Sequence, residues 1–332
     1  MEVHGPWVQR GIENDVKPVE IWGRLPEPES SSGISDDQGD RAFWRCAFNP
    51  FDQGDRCSGD FTSVNYVKQH LARRHGQSYL AVKELHSDGR LAFAKELQAL
   101  QLLNSKPHQH IVSLLGSYRY RAKYHLVFPW ADSDLSMFWR LNPNPQPNRE
   151  LAGWVVEQTM GLVDALCKIH GLGNRNDDSS NNWSGRHGDI KPSNILCFST
   201  GNRSLGTLKL ADFGLSSFRT SGTADHEQMD EGPIRYTPAY RAPEFALPQD
   251  RIGQMSDIWG LGCVFLEFVS WYLLGVSAVD EVASWRTDDP EQTVSTGDAF
   301  FEVFGASGHE DARLKPRIRD VRLWPILFHP FL

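Results

Sequence analysis

Cysteine, basic charge and long apolar runs are all scarce in this chain, and each shortage closes off a class of protein. Five cysteines (Cys46, Cys57, Cys167, Cys197 and Cys263) are scattered over 332 residues. An odd number without dense, regular spacing is not a secreted disulfide scaffold and favours a reducing compartment, cytoplasmic or nuclear. The first forty residues hold charges and prolines but no apolar segment of the kind a cleavable secretion signal needs. Only Leu261 to Val279 runs nineteen residues with a single charged member, Glu267. That length would span a bilayer, but it follows directly on Asp257, Trp259 and Gly260 and reads as a buried core helix, so no membrane partner is expected. Basic residues are outnumbered 34 to 42, for a formal net charge of -8, which argues against a surface that grips nucleic acid or acidic lipid throughout. No internal repeat is present, which excludes a solenoid or propeller.

What is there is the composition of a globular protein, 40% hydrophobic and 23% charged, with length for roughly two domains. Residues 1–42 carry four basic and nine acidic side chains, Pro26, Pro28 and a Ser-Ser-Ser-Gly run, and read as a disordered segment. Residues 43–75 gather aromatics, two cysteines and two histidines with five basic and three acidic side chains, and read as a separate small unit. From residue 76 apolar runs at strand and helix spacing alternate. Strands are expected over Tyr79–Leu85, His110–Tyr120 and Tyr124–Pro129. Leu91, Ala94, Leu97, Leu100 and Leu103 recur every three residues and predict a helix between the first two strands. The prolines of Asn142–Pro147 mark a loop, Trp154–His170 a helix, and Gly171–Arg186 a polar insertion.

Five short motifs then occur in order: Ala81-Val82-Lys83, His187-Gly188-Asp189-Ile190-Lys191-Pro192-Ser193-Asn194, Asp212-Phe213-Gly214, Ala242-Pro243-Glu244, and Ser256-Asp257-Ile258-Trp259-Gly260. Each is weak alone, but in this order the sequence resembles a eukaryotic protein kinase over about residues 79–300. The resemblance implies an α+β, bilobal fold with a small N-terminal lobe at 76–131 and a mainly helical C-terminal lobe at 132–332. It also implies phosphoryl transfer from ATP with magnesium, chemistry that asks a protein for charge neutralisation, metal placement and an aligned hydroxyl.

Under that resemblance Lys83 would fix the ATP phosphates and Glu96 would hold Lys83, pointing inward with Phe93 and Leu100 at helical spacing. Asp189 would accept or orient the substrate hydroxyl proton, and Lys191, typical of the serine/threonine branch, would neutralise the transferred group. Asn194 and Asp212 would supply hard oxygen ligands for magnesium. Phe128 would be the gatekeeper of the adenine pocket, with the Pro129 carbonyl and the Ala131 N–H reading the base. Asp257 would tie down the catalytic loop, Thr237 would steady Asp189 and Lys191, and Glu244 belongs to the activation segment, where Thr220, Ser221 and Thr223 offer hydroxyls for phosphorylation.

Three departures accompany the resemblance. No glycine-rich hairpin is recognisable before Lys83, the nearest glycines being Gly59 and Gly76, so the N-terminal lobe is expected to be reduced and the phosphates to lack their lid. Gly188 stands where an arginine would pair with an activation-loop phosphate. Beyond about Phe304 the closing helices are not recognisable, no arginine partner for Glu244 stands out among Arg313, Arg317, Arg319 and Arg322, and the C-terminal lobe is expected to be truncated.

Cys57, Phe61, Val67, His70 and His75 have the spacing of the second half of a Cys2His2 finger of ββα type, with Cys46 as the remaining ligand across a wide first knuckle of ten residues. Zinc held by Cys46, Cys57, His70 and His75 is one reading, and an apolar unit with incidental Cys and His the other. A single finger with net charge +2 is a poor nucleic-acid reader, so a protein contact or simple stapling is expected. The combined expectation is a serine/threonine protein kinase with a protein substrate, similar to fungal kinase-like proteins. A pseudokinase scaffold and a finger-led adaptor with a vestigial kinase region are the alternatives.

Overall fold

The computed structural model of the chain describes residues 63–69, 78–85, 90–120, 123–171, 183–199, 205–220, 237–247, 252–287, 297–305 and 310–319. The fold opens with β1 (Ser63–Gln69), β2 (Ser78–Leu85), α1 (Arg90–Ser105), β3 (Gly116–Tyr120) and β4 (Lys123–Pro129). The strands form one antiparallel sheet in the order β1-β2-β4-β3. The apolar repeat read from the sequence puts one face of α1 on this sheet: Phe93, Leu97, Leu100 and Leu103 are buried, and Phe93 stacks on Tyr124 of β4 with ring centroids 4.5 Å apart.

This sheet differs from expectation at both ends. Ser63–Gln69 pairs with β2 along its length, Val64 opposite Lys83, so the sheet that carries Lys83 begins inside the stretch read as a separate finger, and the boundary placed at residue 76 falls between two paired strands. The Phe61, Val67 and His70 spacing had suggested a finger, but Val64, Tyr66 and Val67 are β-branched and aromatic, which suits a strand. The lobe is therefore not reduced to the strands after residue 76. The strand expected over His110–Tyr120 starts only at Gly116. Before it, the chain leaves the sheet and fastens to the other lobe, with Leu210 N–H donating to the His110 carbonyl (2.8 Å) and Val112 N–H to the Leu210 carbonyl (2.9 Å). The His110 ring is buried there. Its Nδ1 donates to the Leu208 carbonyl at 2.8 Å, and the ring fills the space beside Gly161, where a Cβ would lie 2.1 Å from Nε2.

The second lobe follows through β5 (Ser133–Asp134), α2 (Leu135–Leu141), α3 (Arg149–Ile169), β6 (Trp183–Arg186), β7 (Ile195–Phe198), β8 (Thr207–Leu210), β9 (Ser217–Thr220), α4 (Met255–Leu274) and α5 (Val276–Thr287). Asp134 caps α2 by accepting from Met137 N–H (2.7 Å), and Asn148 caps α3 by accepting from Leu151 N–H (2.8 Å). That second cap starts α3 several residues before the expected Trp154. α4 is long and apolar enough to cross a membrane by length and composition, and half of that window is buried inside the protein. It joins Phe138, Trp154, Phe268 and Trp271 in an aromatic cluster with successive centroids 5.3–5.8 Å apart. One apolar core runs from Leu85 and α1 through to Trp271 and so unites the two lobes. The hairpin β10 (Phe301–Phe304) and β11 (Asp311–Leu314) and the short α6 (Pro316–Arg319) close the described chain. The expected disordered segment 1–42 lies outside the described residues; of the stretch beyond about Phe304, where closing helices were not expected, the described part holds β11 and the four-residue α6, and residues 320–332 lie outside.

Candidate active site

Lys83 sits in the middle of β2 and is 4% exposed. Its Nζ donates to both oxygens of Glu96 on α1 (2.8 and 2.9 Å) and to Oδ1 of Asp212 (2.8 Å). Two carboxylates, 13 and 129 residues away in sequence, thus share one ammonium. Burial works to lower the Lys83 pKa, but the Asp212 and Glu96 carboxylates outweigh it and hold the ammonium above its usual range. Burial likewise pushes Asp212 up, and Lys83 beside it overcomes that and holds the carboxyl down at about 2. Asp212 has a φ of 63°, the only positive value at a non-glycine residue among those described. Such strain at a functional position is kept only where the surroundings enforce it.

Asp189 lies in the loop between β6 and the 3-10 turn Pro192–Asn194. Thr237 Oγ1 donates to its Oδ1 (2.6 Å), Asn194 Nδ2 to its Oδ2 (2.8 Å), and Lys191 Nζ lies 3.1 Å from Oδ2 while donating to Thr237 Oγ1 (2.7 Å). Asn194 also donates to the Asp189 carbonyl at 2.9 Å. Both bonds of Asn194 use its amide nitrogen, so its side-chain oxygen is left over. Asp212 spends Oδ1 on Lys83 and the Gly214 N–H and keeps Oδ2. Two uncommitted hard oxygens suit a magnesium ion.

Asp257, at the start of α4 and 2% exposed, is the anchor beneath that loop. Its Oδ2 accepts from the His187 N–H (2.8 Å) and His170 Nε2 (2.9 Å), and its Oδ1 from the Gly188 N–H (2.8 Å). His187 in turn donates from Nε2 to the Ala211 carbonyl (3.1 Å), next to Asp212, and packs on Phe213 with centroids 4.9 Å apart. Gly188 has φ +85°, and a Cβ there would lie 2.5 Å from the Leu215 carbonyl oxygen. An arginine here would be strained, because the backbone turns through a conformation that residues with a Cβ rarely adopt.

Of the other residues singled out from sequence, Phe128 and Pro129 end β4, opposite Ala81 and Leu80, and Ala131 is buried in the link to β5. Asp132 N–H donates across that link to the Cys197 carbonyl at 3.0 Å. Glu244 lies in a 3-10 turn at Pro243–Phe245. Of its candidate partners, Arg313 pairs with Glu302 at 2.6 Å and Arg322 lies outside the described residues, as do Cys46, Cys57, His70 and His75. No cluster able to hold a metal through three His, Cys, Asp or Glu side chains occurs among the described residues. His170 was missed by the sequence reading. It lies 87 residues from its partner Asp257, and no local signal marks it.

A description of the protein kinase domain family matches residues 58–276, beginning ahead of β1. The chain is 31% identical to the human "Cyclin-dependent kinase-like 4" over 188 residues, 56% of this chain and 43% of that protein. It is 27% identical over 245 residues to "Serine/threonine-protein kinase crk1" of Schizosaccharomyces pombe, 68% of this chain and 65% of that one. Rice "Cyclin-dependent kinase D-1" is 28% identical over 188 residues, 38% of its length. The matched part of the chain spans about half the length of these curated relatives.

Proposed function

Because the chain belongs to the protein kinase domain family, we propose that it transfers the gamma-phosphoryl group of ATP to a serine or threonine hydroxyl of a protein. The observation that carries this reading is the joint hold of Glu96 and Asp212 on Lys83, which brings β2, α1 and the segment after β8 to one point. In this reading Lys83 binds the phosphates, while Asn194 and Asp212 hold magnesium. When bound, the ion would supply charge neutralisation on the phosphates. Asp189 orients the acceptor hydroxyl and takes up its proton, with Thr237 and Asn194 fixing the carboxylate from either side. Lys191 balances charge on the group in flight. The hinge from Phe128 to Ala131 offers the Pro129 carbonyl and Ala131 N–H to adenine.

The test is Asp189→Asn, which keeps size and removes the acceptor charge. Turnover on a protein substrate should fall by about 100-fold to 10,000-fold with nucleotide affinity nearly unchanged. Intact activity in that variant would overturn the assignment of the loop. The lack of a recognisable glycine-rich motif before Lys83, together with Gly188, favours a second reading, a kinase-like scaffold that binds without turnover. Absence of phosphotransfer above background in the unmutated chain, with no difference in Asp189→Asn, would select it.

A further inference from the structure

Glu267 of α4 is a carboxylate buried to 2% exposure beneath the acceptor side of the site, and none of the roles given above uses it. The Tyr240 hydroxyl donates to its Oε2 at 2.8 Å, and Nη2 of Arg286, from α5, lies 3.9 Å from its Oε1. Arg286 is itself 8% exposed, with its guanidinium carbon 5.6 Å from the Tyr240 ring centroid and 4.8 Å from that of Phe300. Its Nε and Nη1 find no acceptor among the described residues. A buried cation with two unmet donors is costly, and an apolar side chain of similar volume would pack the same space without that cost. Its presence calls for a reason beyond packing. Tyr240 closes the short turn that begins at Thr237, its N–H donating to the Thr237 carbonyl at 3.2 Å, and Thr237 is the residue bonded to both Asp189 and Lys191.

We propose that Arg286 is a positioning residue for the phosphoacceptor side. From α5 it keeps Glu267 an ionised acceptor for the Tyr240 hydroxyl, and through Tyr240 it sets the turn that holds Thr237 against Asp189 and Lys191. The inference rests on the phosphotransferase reading of that site. Tyr240, Arg286 and, on α4 itself, Cys263 are the titratable and charged groups facing Glu267. Lys315 lies one step further out, donating to the carbonyls of Arg286 and Gly297. Burial pushes the Glu267 carboxyl up to about 7, against the opposing pull of Arg286 and the Tyr240 hydrogen bond. An ionised carboxylate is the stronger acceptor, so the bond to Tyr240 is firm above that pH and weakens below it. Without Arg286 the carboxyl holds its proton to still higher pH.

The experiment compares the full chain with Arg286→Gln and Glu267→Gln by the pH dependence of turnover, magnesium-ATP affinity, and amide hydrogen exchange over residues 237–242. Arg286→Gln should shift the acidic limb of turnover upward by about one pH unit and lower turnover at pH 7 by roughly threefold to tenfold. ATP affinity should stay within about twofold of the unmutated chain, and exchange over 237–242 should quicken. Glu267→Gln should remove that limb. An unshifted limb with unchanged exchange overturns the proposal, and so does a parallel loss of ATP affinity, which would mark a general structural defect. If the unmutated chain transfers no phosphate, the functional reading fails by itself. Hydrogen exchange then decides the positioning claim alone, upheld by faster exchange over 237–242 in Arg286→Gln and refuted by none.

Discussion

Asp257→Asn tests how the loop bearing Asp189 is held, and the structure sets the size of the effect. The carboxylate accepts three hydrogen bonds from groups that have little access to water, two on Oδ2 and one on Oδ1. Asparagine has almost the same shape but one acceptor oxygen. Its best orientation keeps that oxygen toward His187 and His170, which places the amide N–H2 against the Gly188 N–H, donor facing donor. Leaving one buried backbone donor unmet costs about 1–3 kcal/mol, and the weaker neutral acceptor for the two remaining bonds brings the total to about 2–4 kcal/mol. In a domain of this size that corresponds to a fall in melting temperature of about 5–10 °C. Urea denaturation followed by tryptophan fluorescence measures it directly. A variant within about 0.5 kcal/mol of the parent would refute the view that these bonds are strong and that Asp257 is their common acceptor.

Two further outcomes follow from the site and its flank. Asp212→Asn should leave the chain folded while removing the magnesium dependence of nucleotide binding, because it deletes the charge next to the proposed ion; an ATP thermal shift that still responds to magnesium would sink the metal assignment. Burial pushes the Asp134 carboxyl up to about 6 despite the N–H bonds of Met137 and Ser136 that oppose it. The native state therefore holds this proton more tightly than the unfolded chain, and stability should be lost as pH rises from about 4 to about 6. Asp134→Asn keeps a capping oxygen for Met137, so it should flatten that dependence and add about 1–3 kcal/mol at pH 7. An unchanged stability profile between pH 4 and 7 would count against it.

Legibility in the sequence depended on whether a signal was local. The α1 stripe of Leu97, Leu100 and Leu103, the inward Glu96 and the loop from His187 to Asn194 are short-range patterns, and the structure joins Lys83 to Glu96, a pair that the family resemblance implied, and adds Asp212 to the same ammonium. What escaped was either degenerate or long-range. Ser63–Gln69 was absorbed into a finger because cysteine and histidine spacing outweighed the β-propensity of Val64, Tyr66 and Val67, and its pairing with Lys83's strand is a contact no local pattern reveals. Proline in Asn142–Pro147 correctly marked a loop but hid the Asn148 cap that starts α3. His110–Val112 has strand composition, yet its partner is Leu210, some hundred residues away in the other lobe. His170 and Arg286 carry no periodic signal because their roles exist only once α3, α4 and α5 have packed.

The ring of His110 beside Gly161 places these two positions under a rule of succession. A methyl group at 161 would stand 2.1 Å from Nε2 of a ring that is buried and tethered to Leu208, so alanine can enter α3 only after position 110 has become smaller. Conversely, a histidine can arise at 110 only in a lineage whose helix already carries glycine there. One residue lies between α1 and β3 of the first lobe and the other on α3 of the second. The two lobes therefore cannot exchange pieces freely with those of relatives: a first lobe carrying His110 grafted onto a helix with alanine at 161 would inherit a collision that neither parent contains.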